Sequence, residues 1–167
     1  MDDEVQALLA QRRYRDAAGV LDERLGRNRD DDQLWYLRGV VSLKLKSYDF
    51  AREYFERALF IRRKPEYLRM KGMAHFEIFE LEEAIEAFTE ALAIEPKDVQ
   101  SEFLIAICYM LMDDPRSDKH LKRAQGLDAR RTGQLLSNFY SFFIAKDPRV
   151  GAAQKKRIEE KIKSIRK

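Results

Sequence analysis

The chain is poor in the residues that support covalent, metal or redox chemistry. Among its 167 residues there is one cysteine, Cys108, and the two histidines are His75 and His120. A single cysteine excludes an intramolecular disulfide and is typical of a reducing compartment, so we expect a cytoplasmic protein. The sequence has no paired-cysteine zinc spacing, no HExxH and no glycine-rich phosphate loop. We therefore expect no metal, no cofactor and no catalytic residue, and a protein that is not an enzyme.

Long apolar runs are missing as well. No stretch approaches the roughly 18 apolar residues that a membrane-spanning helix needs, so no span is predicted. Charged residues make up 37% of the chain, and they are unevenly distributed. Residues 1–115 carry 17 Lys/Arg and 24 Asp/Glu, whereas residues 116–167 carry 15 Lys/Arg and 5 Asp/Glu. A basic end on an acidic body predicts either an anion-binding tail or electrostatic docking on an acidic surface, including that of a second copy.

What the chain does contain is a repeat of 33 residues. The repeated positions are Gly39, Ala51, Phe55, Ala58 and Leu59, followed by Gly72, Ala84, Phe88, Ala91 and Leu92. Such a spacing is typical of a repeat array. Apolar residues in each unit follow a 3.6-residue period, so each unit is predicted to be two antiparallel helices joined by a short turn. Because glycine within a helix costs about 0.5–1 kcal/mol relative to alanine, we expect a neighbouring helix to approach both glycines closely.

These residues resemble the tetratricopeptide repeat family. The first unit carries Trp35, Gly39, Tyr48, Ala51, Phe55 and Ala58, and the second carries Gly72, Ala84, Phe88, Ala91 and Pro96. The second unit departs from the family pattern at Leu68, His75 and Leu81. The resemblance implies an all-α fold, a right-handed superhelical solenoid of antiparallel helix pairs. Its concave groove is expected to bind a peptide or protein partner.

The repeat pattern predicts a single domain over residues 1–167. It comprises a partial repeat over 1–28, full repeats over 32–64, 65–98 and 99–128, and C-terminal capping helices over 132–167. Thr132 is predicted to cap a helix with two apolar stripes, one on Leu135, Phe139 and Phe142 and the other on Leu136, Tyr140 and Phe143. The last helix is predicted to fold back through Ile158, Ile162 and Ile165.

In the resembled family the groove is lined by the first helix of each pair. That correspondence gives a predicted groove of Tyr36, Val40, Leu43 and Lys44, then Arg69, Met73 and Phe76, then Phe103, Ile107 and Met110. The Lys and Asn with which some members clamp a C-terminal carboxylate are missing, so that mode is disfavoured. We expect the groove to take an extended apolar peptide or the apolar side of an amphipathic helix. Part of the set is equally expected to be ordinary packing between repeats.

Three functions remain open from the sequence. The first is a non-catalytic scaffold or adaptor that binds a protein or peptide partner in the groove. The second is a self-associating structural protein, a homo-oligomer formed through the groove or the apolar residues 135–144. The third is contact of a basic C-terminal patch, Lys155, Lys156, Arg157, Lys161 and Lys163, with nucleic acid or an anionic membrane. Glu159 and Glu160 interrupt this patch and no aromatic residue interleaves with it, so the third is disfavoured.

The remaining polar clusters are interpreted as structural. Asp30, Asp31 and Asp32 precede a predicted helix, where carboxylates cap the free N–H groups more often than they bind a metal. His75 takes the place of a usual family aromatic and is expected to be a satisfied core histidine. Cys108 lies among apolar neighbours and is expected to be an inert core residue.

Overall fold

A computed structural model of the chain describes residues 3–165, and these form an all-α fold. The α-helices are α1 Asp3–Ala10, α2 Tyr14–Arg27, α3 Asp32–Lys44, α4 Tyr48–Ile61, α5 Pro65–Glu77, α6 Leu81–Ile94, α7 Val99–Leu111, α8 Arg116–Phe139 and α9 Ala152–Ile165. A π-helical segment, Tyr140–Ile144, directly follows α8. The chain divides into two compact units, Met1–Ala87 and Phe88–Lys167. Across residues 3–165, no helix is long and apolar enough to cross a membrane.

The turns that close the helix pairs share one unusual backbone conformation. A non-glycine residue with positive φ stands in each of four turns, namely Arg12 at 58°, Lys46 at 60°, Phe79 at 66° and Asp113 at 57°. They recur at intervals of 34, 33 and 34 residues, the period of the sequence repeat. After α3, for example, the Ser47 N–H donates to the Ser42 carbonyl at 2.9 Å, which satisfies a carbonyl that the helix end leaves free. The backbone period therefore includes the first helix pair, α1 and α2.

Aspartate caps begin two of the first helices. The Asp31 carboxylate accepts hydrogen bonds from the N–H groups of Gln33 and Leu34 at 2.9 and 3.2 Å. Asp98 does the same for Gln100 and Ser101 at the start of α7. The capping interpretation of the aspartate run is therefore confirmed, with Asp31 as the capping residue.

The core of the first unit explains why glycine stands at position 39. A Cβ atom added to Gly39 would lie 2.5, 2.7 and 2.9 Å from three carbon atoms of the Phe55 ring. That ring is fully buried, and it packs with Ala51 and Ala74 in a cluster between α3, α4 and α5. The close approach predicted at Gly39 is confirmed, and the group that approaches is an aromatic side chain.

In the second unit α8 consists of two helical stretches that meet at Asp128. This residue has an extended backbone, with φ −160° and ψ 97°, and its carboxylate accepts from the Arg131 N–H at 2.8 Å. The prediction that Thr132 caps this helix is therefore wrong. Thr132 is buried inside the helix, and its hydroxyl donates to the Asp128 carbonyl at 2.7 Å. Asp128 caps instead because its carboxylate reaches the first free N–H groups.

The π-helical segment redistributes the apolar side chains that follow. Its wider turn, closed by the Ala145 N–H on the Tyr140 carbonyl at 2.8 Å, inserts one extra residue into the helical register. Ile144 consequently shares the buried state of Leu136 and Phe139, whereas Phe142 is 80% exposed. The predicted pair of separate stripes is thus corrected, because a regular 3.6-residue period does not hold through this segment.

Helix α9 docks within the second unit through both apolar and polar contacts. Ile158 is fully buried and Ile162 is half-buried, while the Ile165 side chain lies outside the described residues. The Gln154 side-chain amide donates to the Leu111 carbonyl at 2.8 Å. Two ion pairs, Arg157 with Asp113 and Lys161 with Asp118, join α9 to the region where α7 ends and α8 begins.

Candidate partner-binding surface

In the first unit the predicted groove residues lie on α3 and α5. Tyr36, Val40, Leu43, Arg69 and Met73 are half-buried, Lys44 is exposed and Phe76 is buried. Three of the half-buried side chains, those of Tyr36, Val40 and Leu43, also pack against the Phe55 cluster. These residues therefore serve the core with part of their surface and present the remainder to solvent. Phe76, at 4% exposed, is a core residue in this structure.

A buried polar cluster fixes the position of the Tyr36 ring. Tyr36 stacks on Tyr67 with 4.6 Å between ring centroids. The buried Tyr67 hydroxyl donates to Asp32 at 2.6 Å and accepts from the Lys64 ammonium at 2.9 Å. Lys64 also forms an ion pair with Asp32 at 2.8 Å. The ring on the candidate surface is thus held by contacts on both α3 and α5.

The electrostatics of this cluster follow from burial and hydrogen bonding. Burial, together with the hydrogen bond to the Asp32 carboxylate, raises the pKa of Tyr67 to about 12. Burial opposes ionisation of Asp32, but hydrogen bonds from Lys64 and Tyr67 hold the pKa of Asp32 below its usual value. Sequence reasoning missed the role of Tyr67. An indirect signal existed, since a tyrosine one turn into the second repeat lies 34 and 35 residues after Gln33 and Asp32.

The three predicted groove residues of α7 are buried in the second unit. Phe103, Ile107 and Met110 are 1%, 0% and 6% exposed. The Phe139 ring packs edge-on against Phe103 at 5.8 Å, because the chain after Asp128 folds over this part of α7. Phe103, Ile107 and Met110 are therefore removed from the candidate surface, which leaves the side chains on α3 and α5.

The predicted basic patch on α9 is only partly available. Lys156 and Lys163 are exposed and Lys155 is half-buried. Arg157 and Lys161 form the ion pairs with Asp113 and Asp118 that dock the helix. Two of the five cations are thus partly neutralised within the unit, which weakens the case for phosphate binding there.

The histidine and cysteine singled out in the sequence differ in burial: His75 is half-buried with its ring nitrogen bonded, and Cys108 is in the core. His75 Nδ1 lies 2.7 Å from Glu80 Oε2, and the Arg52 guanidinium donates to the same oxygen at 2.7 Å. The Cys108 thiol is fully buried. Within the part of the chain that the structure describes, no three His, Cys, Asp or Glu side chains are grouped so that they could hold a metal.

Comparison with known proteins identifies the kind of repeat. Tetratricopeptide repeat family models match residues 3–67 and residues 65–98, and together they span more than half of the chain. No curated protein sequence matches the chain. A crystal structure of MamA superposes with a TM-score of 0.74 at 13% identity, covering 99% of this chain and 95% of that one.

Two further solved structures are similar. MamA from residue 41 to its end, from Desulfovibrio magneticus RS-1, gives a TM-score of 0.73 at 18% identity, covering 98% of this chain and 90% of that one. YrrB, described as a TPR protein with an unusual peptide-binding site, gives a TM-score of 0.67 at 16% identity. The match covers 96% of this chain and 82% of YrrB. At these identities the likeness shows a shared helical-repeat fold.

Proposed function

Because this chain belongs to the tetratricopeptide repeat family, a family of protein-interaction modules, we propose that it is a non-catalytic scaffold that holds an extended peptide of a partner protein on α3 and α5. The observation that carries the proposal is a row of half-buried apolar side chains, with two cations, on the first helices α3 and α5. The row consists of Tyr36, Val40, Leu43 and Met73, and the cations are Lys44 and Arg69.

The chemistry of this surface specifies the peptide. Tyr36 and Met73 present apolar surface, and methionine adapts its shape to different side chains. Lys44 is exposed, with no ion pair among the described residues. A peptide with apolar side chains and one acidic side chain complements both features, since the carboxylate pairs with a cation while the apolar groups leave water.

The side chains of this surface are already ordered before a ligand binds, which supports it as the binding site. The Tyr36 ring is already stacked on Tyr67, whose hydroxyl is fixed by Asp32 and Lys64. A side chain that is ordered before binding loses less conformational entropy when a ligand packs on it. The half-burial of Val40 and Leu43 has the same effect, because their packing against the core restricts their rotamers.

The test is selection of short peptides against the full chain, followed by affinity measurement on variants. For a selected peptide we expect Met73→Ala and Lys44→Glu each to weaken binding about tenfold or more. Matched controls are Phe60→Ala, at a residue 90% exposed on α4, and Arg57→Glu, an exposed cation on the same helix. These controls should leave the affinity unchanged. The proposal is contradicted if neither Met73→Ala nor Lys44→Glu changes the affinity. It is also contradicted if the control variants weaken binding as much as these two do.

Self-association is the second candidate function, and one observation favours it. The π-helical segment exposes two adjacent aromatic side chains, Phe142 at 80% and Phe143 at 40%. Exposed neighbouring aromatics are uncommon on monomer surfaces and are enriched at interfaces. Measuring the mass in solution over a wide concentration range tests it. A dimer that Phe142→Ser converts to monomer supports the candidate, and a constant monomer mass rejects it.

A further inference from the structure

One position in the repeat changes its chemistry in the third full repeat, residues 99–128. Trp35, Leu68 and Glu102 occupy equivalent places, at spacings of 33 and 34 residues. Trp35 stacks on Tyr54 at 5.9 Å between ring centroids, and Leu68 is 3% exposed. Glu102 is also buried, at 6% exposed, although a carboxylate is rarely buried without charged or polar partners. The acid therefore stands where the other two full repeats place a large apolar side chain.

A cleft opens beside this acid, entirely within the second unit. It has a volume of about 620 Å³ and lies between the end of α6, α7 and the first half of α8. Leu92, Ile105 and Leu127 contribute apolar wall, and Glu102, His120 and Arg123 contribute the polar groups. The cleft thus combines apolar walls with one carboxylate, beside which the His120 and Arg123 side chains line the cleft.

The hydrogen bonds of Glu102 leave one oxygen available to the cleft. Oε2 lies 2.7 Å from His120 Nδ1. Oε1 forms only a long ion pair with Arg123 Nη1, at 3.7 Å, which is beyond hydrogen-bond distance, and the Arg123 side chain is 53% exposed. No donor on a described residue bonds to Oε1. A buried carboxylate gains most from a second charge-assisted donor, because its unused acceptor capacity is otherwise desolvated at a cost.

His120 is held firmly enough to keep Glu102 in place. Its ring packs on the Tyr109 ring at 5.5 Å between centroids, and the Arg116 guanidinium lies 4.3 Å from the same Tyr109 ring. His120 is only 17% exposed in its side chain. The acceptor in the lining of the cleft is therefore fixed in position before any ligand arrives.

We infer that this cleft binds an arginine side chain of a partner protein. The guanidinium donates to Glu102 Oε1, and the aliphatic stem packs against the walls formed by Leu92 and Leu127. Arginine suits the site because its planar guanidinium donates in a fork that matches a carboxylate, while its stem favours apolar contact. An incoming carboxylate would instead face Glu102 at short range, where like charges repel.

The experiment is an NMR titration of the full chain with three capped tripeptides. They are acetyl-Leu-Arg-Leu-amide, the same peptide with citrulline in place of arginine, and the same peptide with glutamate. Citrulline keeps the shape of arginine but lacks its charge. We expect the arginine peptide to shift backbone signals of residues 89–93, 102–105 and 120–127, with affinity at least tenfold above that of the citrulline peptide. Equal binding of the two, stronger binding of the glutamate peptide, or no shift in these residues overturns the inference.

Two variants separate a role in binding from a role in folding. Glu102→Gln should reduce the affinity for the arginine peptide about tenfold or more, whereas Glu86→Gln, at an exposed position on α6, should not change it. Arg123→Ala should strengthen binding, because it removes the cation that competes for Glu102. The surface position of Arg123 keeps this variant folded. A loss of affinity for the arginine peptide in Arg123→Ala would show that Arg123 does not compete for Glu102 and would refute the proposal.

Discussion

Replacing Gly39 by alanine tests the packing argument on which the fold rests. In an open helix this change adds helix propensity and stabilises by about 0.5–1 kcal/mol. At Gly39 the new Cβ would lie 2.5, 2.7 and 2.9 Å from atoms of the Phe55 ring, whereas ordinary contact begins near 3.4 Å. The ring is fully buried and has no solvent to move into. Overpacking of this kind costs about 1–3 kcal/mol, so we expect a net loss of about 1–2 kcal/mol.

Urea unfolding of the full chain, followed by circular dichroism, measures this loss. The matched control is Gly19→Ala on α2, because Gly19 is exposed and a Cβ there would meet nothing within 4 Å. The control should stabilise by about 0.5–1 kcal/mol. A double-mutant cycle with Phe55→Leu should recover about 1 kcal/mol or more of the Gly39→Ala loss, since leucine vacates the space of the ring edge. Stabilisation by Gly39→Ala alone, equal to that at Gly19, would refute the reasoning.

Three further changes have defined outcomes. Asp31→Ala should destabilise by about 1 kcal/mol through loss of the α3 cap, whereas Asp30→Ala, at an exposed neighbour, should have little effect in the same urea assay. The raised pKa of Tyr67 contributes stability that is full below pH 10 and is lost as the pH rises toward 12, so unfolding curves should show a decline that Tyr67→Phe reduces. Part of the decline should remain, because the pKa values of Tyr36 and Tyr140 are raised as well. Lys161→Glu should place like charges beside Asp118 and accelerate hydrogen exchange in α9; unchanged exchange would show that the pair does not hold the helix.

Much of the fold was accessible from the sequence because the repeat imposes the same packing twice. Small side chains at a fixed interval mark where helices approach closely, and Phe55 against Gly39 shows that contact directly. One helix start followed from local chemistry at Asp31, whose carboxylate accepts from the first free N–H groups of α3. These features depend on neighbours in the chain or on one repeat contacting the next. A pattern can therefore encode them.

Some features could not be predicted because no characteristic residue type marks them in the sequence. The four turn residues with positive φ include an arginine, a lysine, a phenylalanine and an aspartate, so no glycine marks the conformation they share. The π-helical turn after Phe139 shifts the register without any glycine or proline at the site. The cleft beside Glu102 was missed for another reason. In the sequence Glu102 is indistinguishable from an ordinary surface glutamate. Only the structure shows that it is buried and that its carboxylate contacts His120.

The closure of the second unit explains why the candidate surface is confined to α3 and α5. The side chains of α7 that correspond to groove positions are buried by the chain that follows Asp128, as the contact of Phe103 with Phe139 shows. Helix α9 adds two ion pairs, Arg157 with Asp113 and Lys161 with Asp118. Two cations that suggested an anion-binding tail in the sequence therefore help to hold α9 in place. Exposed ion pairs of this kind each contribute about 1 kcal/mol or less, which makes the buried Ile158 the main anchor of the helix. Removing the charges should therefore loosen α9 at its surface, whereas Ile158→Ala should release it from the second unit.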